Sequence, residues 1–194
     1  MQLMETIYQK ILCVLKVNKM IEIKKMKRKF VRLVPLNEIN NVLDLGCGKG
    51  NISSYFVKKG AKVTGVDIKE ITKSSENFRF IKEDIDNFDF KEYDLIISSM
   101  VLHFFKKEKA IGIIERMKKA TRKGGFNLLI CMDNKDECNL DEYFYPSLEE
   151  LKNRYSNWSV INIVKGKTVK ENHSKRGEHN HNLIFILLKN DRKQ

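Results

Sequence analysis

Glycine spacing is the first feature of this sequence that indicates chemistry. Gly46, Gly48 and Gly50 occupy alternate positions and directly follow a short, mostly apolar run at residues 42–45. Glycine is needed where a ligand approaches the backbone closely, because any side chain would block the approach. The spacing differs from the G-x-G-x-x-G fingerprint of NAD-binding proteins, and no G-K-[ST] follows as in a P-loop. We therefore predict a strand-to-helix turn that binds another ligand; fortuitous glycines in an ordinary turn are the alternative.

Acidic residues occupy positions that fit a ligand carrying a ribose. Asp44 sits just ahead of the glycines, where its carboxylate could hold the amides of the turn or an ammonium group of the ligand. Asp67 ends the next predicted strand, about 20 residues beyond the glycines, as an acceptor for ribose hydroxyls should. A carboxylate suits this task because it can accept from both vicinal hydroxyls. Each acid is a weak signal alone, and the combination with the glycines is strong.

Histidines are the other candidates for chemistry. His173, His179 and His181 share one polar segment with Arg176, and His103 follows an earlier apolar run. A neutral histidine can act as a base, whereas a protonated histidine or an arginine can hold an anion. A solvated surface loop is the alternative. The H-x5-H-x-H spacing also suits a metal, but no acid or thiol of suitable spacing joins it, so we predict no metal site.

The elements that must position these residues alternate between strand and helix. Such alternation predicts a parallel sheet with helices on both faces. A helical region over residues 1–34 precedes the sheet, and two late strands would add an antiparallel edge. A capping box at residues 147–150 predicts one more helix ahead of these two strands. Strands are predicted at residues 42–45, 62–67, 78–83, 93–98, 126–132, 160–164 and 183–188.

Five segments resemble the successive motifs of the class I S-adenosylmethionine (SAM)-dependent methyltransferases. They read VLDLGCGKGN, VTGVDIKE, IKEDIDNF, YDLIISSMVLHFF and RKGGFNLLI, and they cover residues 42–132. The resemblance implies an α/β fold with a Rossmann-like sheet, mostly parallel with one antiparallel edge strand, flanked by helices. It also implies an enzyme that uses SAM and releases S-adenosylhomocysteine.

The resemblance also implies roles for single residues at the matching positions. Gly46 and Gly48 would pass under the methionine part of SAM, Asp67 would hold the ribose, and Asp84 with the Ile85 amide would read the adenine edge. All the predicted cofactor-binding residues lie in the turn or just after a strand: Asp44, Gly46, Cys47, Gly48, Gly50, Asp67, Ile68, Asp84, Ile85 and Ser98.

The spacing between the second and third motifs is shorter than the resemblance leads us to expect. Only residues 68–83 separate Asp67 from Asp84, fewer than the family usually has. At a rise of about 1.5 Å per residue, we expect a helix of about two turns between the two strands. Ser98 and Ser99, at the end of the fourth strand, would line the floor of the site.

The C-terminal portion is similar to the small methyltransferases of the tellurite-resistance (TehB-like) type. The similarity rests on GGFNLLICMD, on YFYPSLEELKNRYSNWSVINIV and on LIFILLKN, which follows a histidine-bearing loop. Those enzymes carry a histidine and basic residues in the loop before the last strand. The resemblance implies a small-molecule acceptor, such as an anionic chalcogen, a thiol or another small nucleophile. The predicted catalytic candidates are His173, Arg176, His179, His181 and His103.

A net charge of +12 leaves other functions open. Such a charge favours anionic partners, and several lysines and arginines cluster at residues 24–32, so an RNA or protein methyltransferase is the alternative. Against it, the fourth strand runs into Ser-Ser-Met-Val rather than the Asn/Asp-Pro-Pro-aromatic sequence of base-modifying relatives. No aromatic residues interleave with the basic cluster as a stacking platform needs. A non-catalytic SAM-binding sensor also stays open.

Chain length and cysteine usage predict the setting of the protein. We expect 194 residues to form one domain, with a helical lid or cap at 1–40, a SAM-binding half at 41–132 and a substrate-side half at 133–194. The four cysteines form no CxxC pattern, no signal peptide is apparent, and no run approaches the roughly 20 apolar residues of a membrane span. These features predict a cytoplasmic protein without a membrane partner, and they leave the oligomeric state open.

Overall fold

The computed structural model describes residues 20–21, 23–170 and 177–191. These residues form one sheet with short helices around it. The strands are β1 (Met20–Ile21), β2 (Asn41–Leu45), β3 (Lys62–Asp67), β4 (Phe78–Lys82), β5 (Tyr93–Ser99), β6 (Thr121–Met132), β7 (Ser159–Thr168) and β8 (Asn182–Lys189). The helices are α1 (Ile23–Val31), α2 (Ser53–Val57), α3 (Lys107–Ala120) and α4 (Leu148–Arg154), with 3-10 turns at Leu36–Glu38 and Leu102–Phe104.

The sheet is parallel except for one strand. Its order is β1-β7-β8-β6-β5-β2-β3-β4, and only β8 runs antiparallel to its neighbours among the described strands. The predicted Rossmann-like sheet, mostly parallel with one antiparallel strand, is therefore confirmed, although that strand, β8, lies third from the edge rather than at it. Strand β2 pairs with β3 on one side and with β5 on the other, so the chain reverses its direction of travel across the sheet there. In open α/β sheets, ligands bind at the carboxyl ends of the strands around such a point.

The core lies on both faces of the sheet, which explains why the strands read as nearly continuous apolar runs. In β5, Leu95 and Ile97 belong to the apolar cluster that contains Phe30 of α1. Ile96 between them belongs to the cluster that contains Ile114 of α3. All three β5 side chains have no exposed surface. Side chains alternate across a strand, so α1 and α3 cover opposite faces at the centre of the sheet.

The helix expected between β3 and β4 is absent, and that prediction was wrong. Residues 68–77 form turns, bends and irregular backbone instead. The segment is mostly polar, with exposed Lys69, Glu70 and Lys73, so it lacks an apolar face that a helix could bury against the sheet. The Phe80 amide instead donates to Ser74 Oγ at 2.9 Å, which holds the segment against β4.

The N-terminal region is partly described. Helix α1 confirms the helical prediction for residues 23–31, and it buries Phe30 and Val31. Residues 20–21 were predicted as helix but pair with β7 as a strand, which satisfies backbone groups at the edge of the sheet. The apolar stripe of the predicted lid, at residues 4–15, lies outside the described residues. No described helix has the length and apolar character that crossing a bilayer requires.

Candidate functional site

The glycine-rich turn lies at the carboxyl end of β2, where its conformation requires glycine. Gly46, Gly48 and Gly50 have φ angles of 63°, 53° and 68°, in the left-handed region. At Gly46 a Cβ atom would also lie 2.5 Å from Cγ2 of Val101. The turn is therefore fixed by backbone conformation and by close packing, and it presents main chain rather than side chains to its surroundings.

Hydrogen bonds attach this turn to β3. The Val66 carbonyl accepts from the amides of Gly46 and Cys47 at 2.8 and 3.1 Å. The Gly48 amide donates to Oδ2 of Asp67 at 2.9 Å. Oδ1 of Asp67 accepts from the Lys69 amide at 3.0 Å. Asp67, predicted as a ribose acceptor, thus also holds the glycine turn in place, and each of its oxygens keeps further lone-pair capacity.

Asp44 is a buried carboxyl group directly beneath the turn. It is 2% exposed, and Ser53 Oγ donates to its Oδ2 at 2.6 Å. Burial raises the pKa of Asp44 to about 6, although the Ser53 hydrogen bond and the charge of Lys27 oppose the shift. The group is therefore ionised at neutral pH at a considerable desolvation cost. Such a carboxylate is well suited to attract a cationic ligand.

Cys47 is a packing residue within the turn. Burial raises the pKa of its thiol to about 12, helped by the charges of Asp44 and Asp67. The thiol consequently stays protonated and is not an activated nucleophile.

A cavity of about 1160 Å³ opens over the turn. Its floor includes Asp44 and the glycine turn, and Ser99 contributes from the end of β5. Lys24, Lys27 and Arg28 of α1, with Arg32 directly after the helix, form a basic wall of the cavity. The cavity therefore combines exposed main chain with a positive wall, in the place where ligands bind to open α/β sheets.

The residues predicted to bind the adenosine part lie along the same edge. The Glu83 amide donates to the Asp67 carbonyl at 3.1 Å, so Asp84 follows β4 beside the end of β3. Asp84 is exposed, whereas the Ile85 side chain is buried in the core and only its backbone could serve a ligand. Ile68 is 62% exposed, which is unusual for a large apolar side chain next to a candidate site.

The end of β5 carries two hydroxyl groups. Ser98 is fully buried, and Ser99, its neighbour on the opposite face of the strand, is the one that lines the cavity. Neither hydroxyl oxygen has a hydrogen-bond partner among the described residues, although both are buried. Met100 follows with a φ angle of 59°, a strained conformation for a non-glycine residue. Strain and unsatisfied polar groups together mark this strand end as a candidate contact for a ligand.

His103 lies in the 3-10 turn after β5, beside Phe104 and Tyr145, whose ring centroids are 4.1 and 6.2 Å from its own. Its Nδ1 is buried and has no hydrogen-bond partner among the described residues. Burial is the main cause that lowers the pKa of His103 to about 4; His181 and Lys27 contribute to this lowering, and the charge of Asp136 opposes it. The ring is therefore neutral at pH 7.

The histidines of the late loop are only partly described. His173 and Arg176 lie outside the described residues. His179 and His181 are 7% and 3% exposed, so they are buried and do not fit the solvated-loop alternative. They lie just before β8, beside Asp136 and Cys138 from the segment after β6. His181 and Asp136 both act on the pKa of His103, so this group and the His103 ring lie within electrostatic range of each other.

Several residues at this edge of the sheet are not indicated by the sequence. Ser53 and Val101 contact the predicted turn, but their identities carry no specific signal. Asp136 and Cys138 lie more than 40 residues before the histidines, so only the tertiary structure brings the two segments together. The sequence indicates Lys27 only as a member of the basic cluster at residues 24–32.

Comparisons with known proteins agree with this geometry. A profile of the family described as "Tellurite resistance protein TehB" matches residues 17–186. The "Probable S-adenosyl-L-methionine-dependent methyltransferase TehB" of Haemophilus influenzae is 36% identical over 132 residues, which are 62% of this chain and 46% of that protein. The chain thus spans about half the length of the curated relatives named TehB that it matches.

Solved structures with the same fold include two methyltransferase families. The crystal structure of TehB from Haemophilus influenzae has a TM-score of 0.69 at 24% identity, and covers 85% of this chain and 61% of that one. The N-methyltransferase NodS from Bradyrhizobium japonicum, in complex with S-adenosylhomocysteine, has a TM-score of 0.69 at 15% identity and covers 95% of this chain and 98% of that one. At these identities the likeness shows the fold.

Proposed function

Because this chain belongs to the tellurite resistance protein TehB family, we propose that it is a SAM-dependent methyltransferase that acts on a small anionic acceptor. The observation that carries the proposal is the glycine turn, which lines a cavity of about 1160 Å³ at the carboxyl end of β2. The names of its relatives and the fold it shares with a methyltransferase that binds S-adenosylhomocysteine support the same activity.

The cofactor would lie across the carboxyl ends of β2, β3 and β4. Its methionine part would rest on Gly46 and Gly48, and the ionised Asp44 would complement the positive charge of the ammonium and sulfonium groups. The ribose hydroxyls would donate to Asp67. The adenine would lie between the exposed side chain of Ile68 and the backbone at Ile85, with Asp84 at its edge.

The charges around the cavity favour an anionic acceptor. Lys27 lowers the pKa values of both Asp44 and His103, so its positive charge acts on both the predicted cofactor site and the histidine. Arg28 and Arg32 extend this positive wall. An oxyanion or thiolate held there needs no general base, because it arrives with its nucleophilic lone pair available. The neutral ring of His103 would then pack against the acceptor rather than take its proton.

Methyl transfer requires an in-line displacement on the sulfonium carbon. The leaving thioether departs readily, so the protein contributes chiefly by alignment, which is worth up to several powers of ten in rate. A rigid glycine turn on one side and a charged wall on the other supply such alignment. An anionic chalcogen such as selenite or tellurite, or a thiolate, fits this arrangement, and the family description favours the chalcogen.

Calorimetric titration with S-adenosylhomocysteine tests the cofactor site. We expect binding by the wild type and a loss of at least tenfold in affinity for Asp67→Ala, because this change removes the ribose acceptor and releases Gly48. Asp141→Ala, at an exposed carboxylate, is the matched control and should bind normally. No heat with the wild-type protein, or equal affinity of the two variants, would contradict the proposal.

An acceptor screen tests the second half of the proposal. SAM consumption is measured with selenite, tellurite, small thiols, amines and catechols, and separately with RNA and with a protein extract. Turnover with an anionic chalcogen or a thiol, reduced at least tenfold in Lys27→Gln, supports the small anionic acceptor. Turnover with RNA or protein alone supports the alternative, and SAM binding without any turnover indicates a sensor.

A further inference from the structure

Three potential metal ligands converge at the carboxyl edge of β6. Ligand atoms of Cys138, His179 and His181 all lie within 4.8 Å of one another. The two histidines are buried and the cysteine is half-buried. Cys138 is a free thiol from the segment after β6, whereas the histidines precede β8. One thiol and two imidazoles from two separate segments thus meet at one place.

Hydrogen bonds orient both imidazole rings. Nδ1 of His181 lies 3.2 Å from Oδ2 of Asp136, and Nδ1 of His179 lies 2.8 Å from the Gly177 carbonyl. Each of these partners is an acceptor, so each Nδ1 carries a proton. In a neutral imidazole the electron pair is then on Nε2. Metal-binding histidines in proteins show this pattern, in which a carboxylate or carbonyl accepts from the ring nitrogen opposite the metal.

Asp136 also fixes the backbone that carries the ligands. Its carboxylate accepts from the amides of Cys138 and Asn182, each at 2.8 Å. The His181 amide donates to Oγ1 of Thr168 at 2.9 Å, at the end of β7. One buried carboxylate thus connects the thiol-bearing segment to the histidine-bearing segment, and β7 supports the second of them. The arrangement is anchored at each ligand rather than on a free loop.

We propose that Cys138, His179 and His181 form a binding site for Zn²⁺, with Asp136 as the carboxylate that orients His181. One thiolate and two imidazoles are donors that Zn²⁺ prefers, and three protein ligands leave a fourth tetrahedral position open. Metal–ligand bonds of about 2.0–2.3 Å place tetrahedral ligands about 3.5 Å apart. The present ligand atoms lie within 4.8 Å of one another, so a contraction of up to about 1.3 Å would assemble the site. This inference goes beyond methyl transfer and does not depend on it.

The proposed site would add a link between two segments that already meet where Met132 at the end of β6 pairs with Leu183 at the start of β8. A bound metal would link the segment after β6 to the entrance of β8, next to the neighbourhood of His103. The open coordination position would accept water or a soft anion. Asp133, at the end of β6, pairs instead with Lys165 at 2.9 Å and is not needed as a ligand.

Titration of the full chain, purified without a polyhistidine tag, with Co²⁺ tests the proposal. Co²⁺ bound by a thiolate gives a near-ultraviolet sulfur-to-metal charge-transfer absorption and visible bands of tetrahedral geometry. We expect one equivalent of Co²⁺ per chain, displaced by one equivalent of Zn²⁺. Cys138→Ser should lose the charge-transfer absorption, and Asp136→Asn should weaken the affinity about 10–100-fold.

Cys47→Ser is the matched control because it removes another thiol of the same chain and should leave the absorption unchanged. Far-ultraviolet circular dichroism verifies that each variant is folded, and His179→Asn provides a second ligand variant that should weaken binding at least tenfold. The proposal is overturned if wild-type protein gives no charge-transfer absorption, or if folded Cys138→Ser keeps it. None of these readouts involves SAM, so they separate this proposal from the proposed function.

Discussion

At the scale of single residues, the site keeps a carboxylate where burial disfavours charge. Asp44 is 2% exposed, and burial raises its pKa to about 6. At neutral pH the free protein therefore bears the cost of an ionised group with little solvation. A cationic ligand would relieve that cost. A buried charge that lowers the stability of the folded protein is expected at a functional site, because stability and function compete there.

Replacement of Asp44 by asparagine should separate these two effects. The neutral amide can still accept from Ser53, so we expect Asp44→Asn to stabilise the free protein by about 1–3 kcal/mol at pH 7, given about 1.4 kcal/mol per pKa unit. The same change should weaken SAM binding at least tenfold, because the charge complement is lost. Thermal unfolding and calorimetry measure the two outcomes, and a destabilised variant would contradict the argument.

The same carboxyl group predicts a pH dependence with a definite sign. Its folded-state pKa of about 6 lies above the ordinary value of 3.8. The cost of the buried charge is thus fully present above pH 6 and is relieved as the pH falls towards 4, so the stability advantage of Asp44→Asn should shrink over that range. SAM affinity of the wild type should fall through the same range because binding must displace a proton. An unchanged affinity between pH 7 and pH 5 would exclude this role for Asp44.

Two glycine-to-alanine variants test the turn against a helix of the same protein. Gly46→Ala combines a φ of 63° with a 2.5 Å contact to Val101, so we expect a loss of at least 2 kcal/mol in stability and a loss of SAM binding. Gly112, in α3, has nothing within 4 Å of an added Cβ. Gly112→Ala should therefore raise stability by about 0.5–1 kcal/mol, with normal SAM affinity. Equal effects at both positions would argue against a turn that requires glycine.

At the scale of elements, the two edges of the sheet have different tasks. The carboxyl edge carries the candidate sites, whereas the amino edge is held by Asp94 at the start of β5. Its Oδ2 accepts from the amides of Asn40 and Asn41, each at 2.8 Å, and Arg122 donates to Oδ1. Burial alone would raise the pKa of Asp94, but these hydrogen bonds lower it below its usual value. This carboxylate joins the beginnings of β2, β5 and β6.

Loss of Asp94 should therefore affect stability and leave the site unchanged. Asp94→Ala leaves two amides and Arg122 without their acceptor, which costs about 2–4 kcal/mol in the free energy of unfolding. The stabilisation is present at neutral pH and is lost as the pH falls through the lowered pKa, so the difference from the wild type should narrow in acid. Denaturant unfolding measures this difference. We also expect folded Asp94→Ala to bind S-adenosylhomocysteine with an affinity within twofold of the wild type, when both are measured below the unfolding temperature.

The described strands other than β1 were predictable from the sequence because they contain clear apolar runs. The run Leu95 to Ile97 is buried on both faces, and such a run fits little else than a central strand. The prediction of a helix between β3 and β4 was wrong because it came from the resemblance to a family. The residues there are mostly polar, so a helix would have no apolar face to bury. The group formed by Asp136, Cys138 and the buried histidines was not predictable, because spacing along the chain does not report which distant segments meet.

At the scale of the whole molecule, the charge of +12 is the dominant property. Part of it is gathered on and just after α1 around the cavity, and the other lysines and arginines are scattered along the sequence. A dispersed positive charge binds nucleic acid weakly and without sequence preference, chiefly through counterion release. We therefore assign the localised part to the acceptor and the dispersed part to no specific partner.

Salt dependence distinguishes these two parts. Binding to random RNA, measured by fluorescence anisotropy, should be weak. Its affinity should fall steeply as salt is raised from 50 to 200 mM, because a protein that makes several phosphate contacts loses orders of magnitude in affinity over this range. Added RNA should not inhibit methyl transfer to a small acceptor at the higher salt. Tight RNA binding that survives 200 mM salt and competes with the acceptor would favour the nucleic-acid alternative.

The reversed direction of β8 has a consequence for how acceptor preference could evolve. Because β8 is antiparallel to β7, the connection between them is a hairpin whose two ends meet at the carboxyl edge, where the Thr168 amide donates to the His181 carbonyl at 2.8 Å. Residues inserted between β7 and β8 leave every strand register unchanged, and doubling the length of a connection costs only about 0.6 kcal/mol in chain entropy. Descendants of this chain could therefore lengthen or trim that hairpin to admit acceptors of new size while inheriting the remaining architecture intact.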